Sequence, residues 1–264
     1  MKSITIGQFI PGDSLLHRLD ARAKFAALIF LIIAIFAVHS FWGYLILAAV
    51  IFALLLTSQI PLSYFFRGLK PVYYIMLFTL VIHFFFTKGG TVLLRLGPVT
   101  IETEGIYYGF FMVIRIVFLV VATSLLTLTT SPIALTDGLE YLMKPFSRIG
   151  VPAHEIAMMM TIALRFIPTL MEESEKIMKA QMARGADFES GNVYQRAKSL
   201  VPLLVPLFVS SFRRADDLAV AMEARCYRGG EGRTRLHEPK ITLQDYLVVA
   251  ASIALAAFIT WGQV

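Results

Sequence analysis

From Gly105 to Thr129 the sequence runs for 25 residues with one charge, Arg115. At helical rise such a run reaches roughly 37 Å, enough to cross a hydrocarbon core of ~30 Å with tilt. Four further apolar runs accompany it: Phe25–Val38, Tyr44–Thr57, Val72–Phe86 and Leu243–Trp261. The first two are shorter than the ~20 residues of a straight span, so flanking residues must contribute or the helices must pack against protein at their ends. With 57% hydrophobic residues and a mean hydropathy of +0.71, the chain exceeds soluble usage. The fold class is therefore an all-α polytopic membrane protein with about five transmembrane helices.

Charge bias orients the spans. The stretch before Phe25 carries His17, Arg18, Arg22 and Lys24, read as a topogenic patch facing lipid headgroups, and the loop with Pro61, Arg67, Lys70 and Pro71 is basic as well. Both belong in the cytoplasm. Residues 87–104, with Gly89, Gly90, Gly97 and Pro98 around Val99-Thr100-Ile101, read as an external loop or small hairpin. Five spans then place the N-terminus inside and the C-terminus outside the cell membrane. The net charge of +6 follows from these basic loops and does not indicate nucleic acid. Cys226 is the single cysteine, which excludes an internal disulfide and a cysteine metal cluster. No secretory cleavage site precedes the first apolar run, so the N-terminus is expected to be retained.

Residues 131–240 differ in character: they hold 15 of the 24 Lys and Arg and 13 of the 18 Asp and Glu. The division expected is a cytoplasmic segment 1–24, a four-helix membrane region 25–130, a cytoplasmic region 131–240 and a C-terminal span in 241–264. The charged region alternates charge with apolar runs, as in helices at the membrane interface. It should form a short helix over about 133–148 stopped by Gly150 and Pro152, a long one over about 153–184 with a possible bend at Pro168, and another over about 192–227 with possible bends at Pro202 and Pro206. Gly185, Gly191, Gly229, Gly230 and Gly232 mark the breaks.

Within it two helix ends are alike. Ala183-Arg184-Gly185 and Ala224-Arg225-Cys226 each set an Arg beside an Ala, 41 residues apart, and Glu175 and Asp216 each lie nine residues upstream of their Arg. An Arg in a last helical turn can do no more than complement the helix dipole, worth ~0.3–1 kcal/mol. The duplication argues for a contact surface. Met158, Met159, Met160, Met171, Met178 and Met182 crowd the first helix, and Ala215, Ala219, Ala221 and Ala224 line the second, an arrangement suited to close crossing and a soft apolar surface, or to ordinary packing. His83 lies near a span end with no partner at helical spacing and reads as a packing residue. Arg115, some ten residues into its span, needs a partner or a path to the interface.

No Walker A sequence, GxSxG, HExxH or pair of membrane aspartates occurs, and the spans lack the repeated halves of many secondary transporters. Nothing supports an enzyme.

Three stretches in order resemble one family. Leu16-His17-Arg18-Leu19-Asp20-Ala21-Arg22-Ala23-Lys24 is similar to an L-H-x-L-D-P-R-x-K signature, with Ala21 in place of Pro. Ala163-Leu164-Arg165-Phe166-Ile167-Pro168 is similar to A-L-R-F-I-P, and the two Arg endings to paired A-R-G-like signatures, with Cys226 at a variable third position. Over essentially its whole length the chain resembles the transmembrane T component of energy-coupling factor transporters, ABC-type importers of vitamins and metal ions. The resemblance implies a non-catalytic scaffold joining two cytoplasmic ABC-type ATPase subunits to a separate substrate-binding membrane subunit. ATP and Mg would be bound by the ATPases, with no cofactor on this chain. It also implies that the helices ending at Arg184 and Arg225 are coupling helices, with Ala183, Arg184, Gly185, Ala224, Arg225 and Cys226 docking to the ATPases and Met158, Met159 and Met160 meeting the capture subunit. An Arg fork suits carboxylates and carbonyls of a partner, and small neighbours permit close approach. The alternatives are a permease subunit of an ordinary ABC importer, expected to use one E-A-A-x-x-x-G coupling loop, and a non-transport membrane adaptor.

Overall fold

The computed structural model describes residues 9–96, 99–188, 192–229 and 241–262; Gly97, Pro98, Gly191, Gly230 and Gly232 lie outside them. A short helix α1 (Leu15–Arg18) leads to α2 (Ala21–Ala37), which starts on Asp20, whose carboxylate accepts from the Arg22 N–H. The turn His39-Ser40 then admits α3 (Phe41–Ser58), capped by Ser40 accepting from the Gly43 N–H and ended by Gln59 in the left-handed conformation. Both caps satisfy backbone donors that a helix start leaves open.

The basic stretch expected as a loop is helical. Helix α4 (Leu62–Leu69) passes through a 3-10 turn (Lys70–Val72) into α5 (Tyr73–Phe86), so that Leu62–Phe86 is a continuous apolar rod of 25 residues. Both prolines sit where they do no harm, Pro61 at the N-cap of α4 and Pro71 at the start of the 3-10 turn, because the first N–H groups of a helix are unbonded anyway. Strands β1 (Val92–Leu96) and β2 (Val99–Glu102) form the antiparallel hairpin, from Val92↔Glu102 to Leu96↔Val99, with a register irregularity between Val92 and Leu94. Helix α6 (Thr103–Thr129) follows, then α7 (Pro132–Met143) with a 3-10 extension (Lys144–Ile149) that Gly150 ends at φ 90. Helices α8 (Ala153–Ala183) and α9 (Val193–Ala224) run without interruption through Pro168 and through Pro202 and Pro206, and α10 (Leu243–Trp261) closes the chain.

Among the described residues four helical segments are long and apolar enough to cross a membrane: Phe41–Ser58, Leu62–Phe86, Thr103–Thr129 and Leu243–Trp261. The fifth apolar run is α2, whose 17 residues reach about 26 Å, short of the full core thickness. Helices α8 and α9 are longer than any of these but too polar to join them.

The described parts of Met1–Gly138 and Pro239–Val264 form one compact unit, and those of Leu139–Glu238 a second. In the first unit α2 lies against α10 and α6, with Ala34, Ile35 and Val38 of the α2 end fully buried among Leu47, Val121, Leu125, Ala256 and Ile259. Lipid tails are as apolar as these side chains, so close packing and polar contacts must hold the helices together. One group of polar contacts lies at the start of α2. Lys24, 8% exposed, donates to the carbonyl of Thr129 at 3.0 Å and to the Thr130 hydroxyl at 3.3 Å. Asp245, 1% exposed, accepts from the Asp20 N–H at 2.8 Å and, through its other oxygen, from the Thr242 N–H and hydroxyl at 2.7 Å each. His17 donates to the Ile10 carbonyl and accepts from Ser14. The N-terminal signature is thus a lock joining the ends of α2, α6 and α10; of its four basic residues Arg18 alone is exposed, which corrects its reading as a headgroup patch.

Candidate functional site

The two Arg-bearing ends lie in the second unit, and their backbones repeat bond for bond. After α8, Arg184 (φ −89, ψ 6) precedes Gly185 at φ 88; the Gly185 N–H donates to Met182 O and the Ala186 N–H to Gln181 O, both at 3.0 Å. After α9, Arg225 (φ −89, ψ 12) precedes Cys226 at φ 56; the Cys226 N–H donates to Glu223 O at 2.8 Å and the Tyr227 N–H to Met222 O at 3.0 Å. Every donor and acceptor is displaced by 41 residues. This is the Schellman motif, which folds the last free carbonyls of a helix back onto the chain and needs one residue in the left-handed region. Glycine meets that need at position 185 without a steric penalty; a cysteine at position 226 does so against one.

Ala183, Arg184, Gly185, Ala224, Arg225 and Cys226 are all exposed. Among the described residues neither guanidinium has a hydrogen-bond or ion-pair partner, and both arginines are exposed. At Gly185 an added Cβ would meet nothing within 4 Å.

Polar contacts join α8 to α9. The Glu173 carboxylate accepts from the Ser210 hydroxyl and from the Arg214 guanidinium, and Gln181 donates to the Pro202 carbonyl at 3.4 Å. Glu173 and Arg214 also stand 41 residues apart, so the repeat that makes the two ends alike also sets opposite charges face to face. The Ser210 hydrogen bond, with the Arg214 one behind it, holds the Glu173 carboxyl below the usual carboxylate range against a desolvation that acts the other way. Ala215, Ala219, Ala221 and Ala224 are exposed, which corrects the expectation that they form the crossing. Met158 is half-buried, while Met159 and Met160 are 60% and 38% exposed on the N-terminal half of α8, and Arg165 is exposed near them.

Two intramembrane polar residues find partners in the first unit. Arg115 donates to the carbonyl of Val38, the C-cap of α2, at 2.8 Å, and lies over the Phe36 ring at 6.0 Å. A cation at a helix C-terminus complements its dipole. His83 sits 2.9 Å from the Thr87 hydroxyl, against the glycine face of α6 at Gly105 and Gly109. Both are structural.

Fold and site together define a polytopic helical membrane protein with a charged helix pair that ends in two matched turns, each bearing an exposed arginine. The sequence profile of the cobalt transport protein family, CbiQ, matches residues 12–236. The energy-coupling factor transporter transmembrane protein EcfT of Thermosediminibacter oceani is 59% identical over 262 residues, 99% of this chain and 95% of its own. Its namesakes in Clostridium kluyveri and Bacillus subtilis are 53% identical over 269 residues, covering all of both chains, and 47% identical over 259 residues, 98% of each. The chain belongs to this family of transmembrane components of energy-coupling factor transporters.

Proposed function

We propose that the chain is the non-catalytic scaffold that couples ATP binding and hydrolysis in two cytoplasmic ATPase subunits to a separate membrane subunit that captures the substrate, a vitamin or metal ion. ATP and Mg belong to the ATPases. The observation that carries the reading is the pair of helix ends with the same hydrogen-bonded turn, each offering an exposed guanidinium without a partner among the described residues. A machine with two like ATPase grooves calls for two like plugs. The Arg184 turn with Ala183 and Gly185 docks to one ATPase, and the Arg225 turn with Ala224 and Cys226 to the other. Met158, Met159 and Met160 face the capture subunit, since unbranched thioether side chains repack against different partners. Residues 131–240 and the N-terminal segment 1–24 are cytoplasmic in this reading, and the C-terminus is external.

The test is substitution of the two arginines. Arg184→Ala and Arg225→Ala should each reach the membrane at wild-type level, because both residues are exposed at helix ends, yet each should cost about 2 kcal/mol of docking, or roughly 30-fold in ATPase affinity. Transport in cells should fall with each change and further with both. Lys should restore only part, since a point charge cannot reproduce the fork. Wild-type transport and ATPase stimulation in the double Ala variant would end this reading.

A further inference from the structure

The two turns share a backbone but not a mount. The residue that follows each left-handed position is Ala186 after α8 and Tyr227 after α9. A methyl group reaches nothing polar. The Tyr227 hydroxyl lies 3.2 Å from His154 Nε2, and His154 Nδ1 lies 3.0 Å from Glu140 Oε1. A carboxylate can only accept, so Nδ1 carries the proton to Glu140 and Nε2 of the neutral ring accepts from the tyrosine. The chain of bonds therefore runs from the turn after α9 to the second residue of α8 and on to α7, all three side chains being partly buried. It spans 73 residues between His154 and Tyr227, within the second unit.

We propose that Glu140, His154 and Tyr227 are positioning residues that hold the Arg225 turn in one orientation, so that Arg225 is offered from a fixed mount and Arg184 from a turn that lacks this tether. The purpose assigned to the mount rests on the docking reading above; the tether itself does not. A partner that binds only the correctly oriented turn has its apparent affinity reduced by the fraction of time the turn spends elsewhere. The tether raises that fraction. Its loss should weaken ATPase binding without slowing the machine once assembled, whereas general damage to the helix pair would lower the maximal rate.

The chain carries its own reporter, because Cys226 is its single cysteine, is exposed, and sits between Arg225 and Tyr227. A nitroxide on Cys226 of the full-length chain in lipid nanodiscs should become more mobile in Tyr227→Phe, which removes one oxygen and keeps the ring. A nitroxide at Ala186→Cys, in a Cys226→Gly background, should not respond to Tyr227→Phe. Unchanged mobility at Cys226 would overturn the tether. In the assembled transporter, titration with the purified ATPase pair should show Tyr227→Phe and His154→Ala weakened by about 3- to 10-fold, the span of one lost hydrogen bond, at an unchanged maximal rate. His154→Gln, whose amide can both donate to Glu140 and accept from Tyr227, should recover most of the loss. A mobile label with wild-type ATPase affinity, or a lowered maximal rate at unchanged affinity, would overturn the positioning role. If Arg225→Ala itself leaves affinity intact, the docking reading fails while the label experiment still decides the tether.

Discussion

Cys226 occupies a backbone position that costs a side chain about 1–2 kcal/mol, while Gly185 occupies the matching one at no steric cost. Since a Cβ at position 185 would touch nothing, exchanging the two residue types isolates the backbone effect. Gly185→Ala should open its turn by about 1 kcal/mol and Cys226→Gly should tighten the other by up to about as much, less the entropy glycine adds to the unfolded chain. Amide exchange in peptides holding the Ala186 and Tyr227 N–H groups should speed up about fivefold in the first and slow in the second; no change in either would mean that these bonds do not limit local opening. The same scale shows what sequence could and could not disclose. The repeated Ala-Arg pair was legible because it is local. The roles of Lys24, Asp245 and Arg115 were not, since their partners at Thr129, Asp20 and Val38 are remote in sequence or are backbone atoms. Asp245→Ala would leave the Asp20 and Thr242 donors without their acceptor, and should cost about 3 kcal/mol or more, seen as a large drop in the thermal midpoint of the purified chain.

At the level of elements, the stop after the 3-10 extension of α7 and both ends of α8 fall close to where Gly150, Pro152 and Gly185 place them, because helix stops act through local backbone freedom. Helix α4 was concealed for the complementary reason: Pro61 and Pro71 look like breakers, and only their place at helix starts makes them harmless. The contact between α8 and α9 was assigned to small residues, whereas Ala215, Ala219, Ala221 and Ala224 are exposed and the part-buried cluster of Glu173, Ser210 and Arg214 contributes to it. That cluster sets a pH dependence. The Glu173 carboxyl is depressed in the folded chain, so its contribution is fully present above the ordinary carboxylate range and is lost as pH falls through its lower folded value. Between about pH 8 and 5 the Glu173 contact should therefore be indifferent to pH, and it should loosen only in more acidic solution. Spin labels at Lys179→Cys and Tyr194→Cys, with Cys226 replaced, should give a distance distribution that broadens only below about pH 4.5. Glu173→Gln should be broader at neutral pH and lose the acid response; an unchanged distribution in that variant would remove Glu173 from the account of how the helices are held.

For the whole molecule the consequence to settle is sidedness, since a docking surface must face the compartment of its ATPases. The apolar helices place the chain in a membrane, and the excess of Lys and Arg before α2 and around α4 argues for those ends being inside. On the proposed orientation the hairpin between α5 and α6 would be external and the second unit internal. Native Cys226 tests this directly: in intact cells a membrane-impermeant maleimide should leave it unmodified, and should modify it once the membrane is opened. For the hairpin, in a Cys226→Gly background, Lys88 is the position to change, because it is exposed. Gly90 sits at φ 79 with an added Cβ 2.3 Å from the Thr103 hydroxyl, so a side chain there would disturb the turn it is meant to report. Lys88→Cys should react in intact cells, and so should Gln263→Cys, whereas Tyr194→Cys at the start of α9 should not. Because α10 alone separates Gln263 from the second unit, Gln263→Cys cannot report on α2; the exposed Asp13, before α2, can: with the second unit inside, Asp13→Cys should stay protected in intact cells if α2, the short helix, crosses and react if it does not. Reaction of Cys226 from outside would remove the second unit from reach of any cytoplasmic ATPase, and with it the function assigned to the two arginine turns.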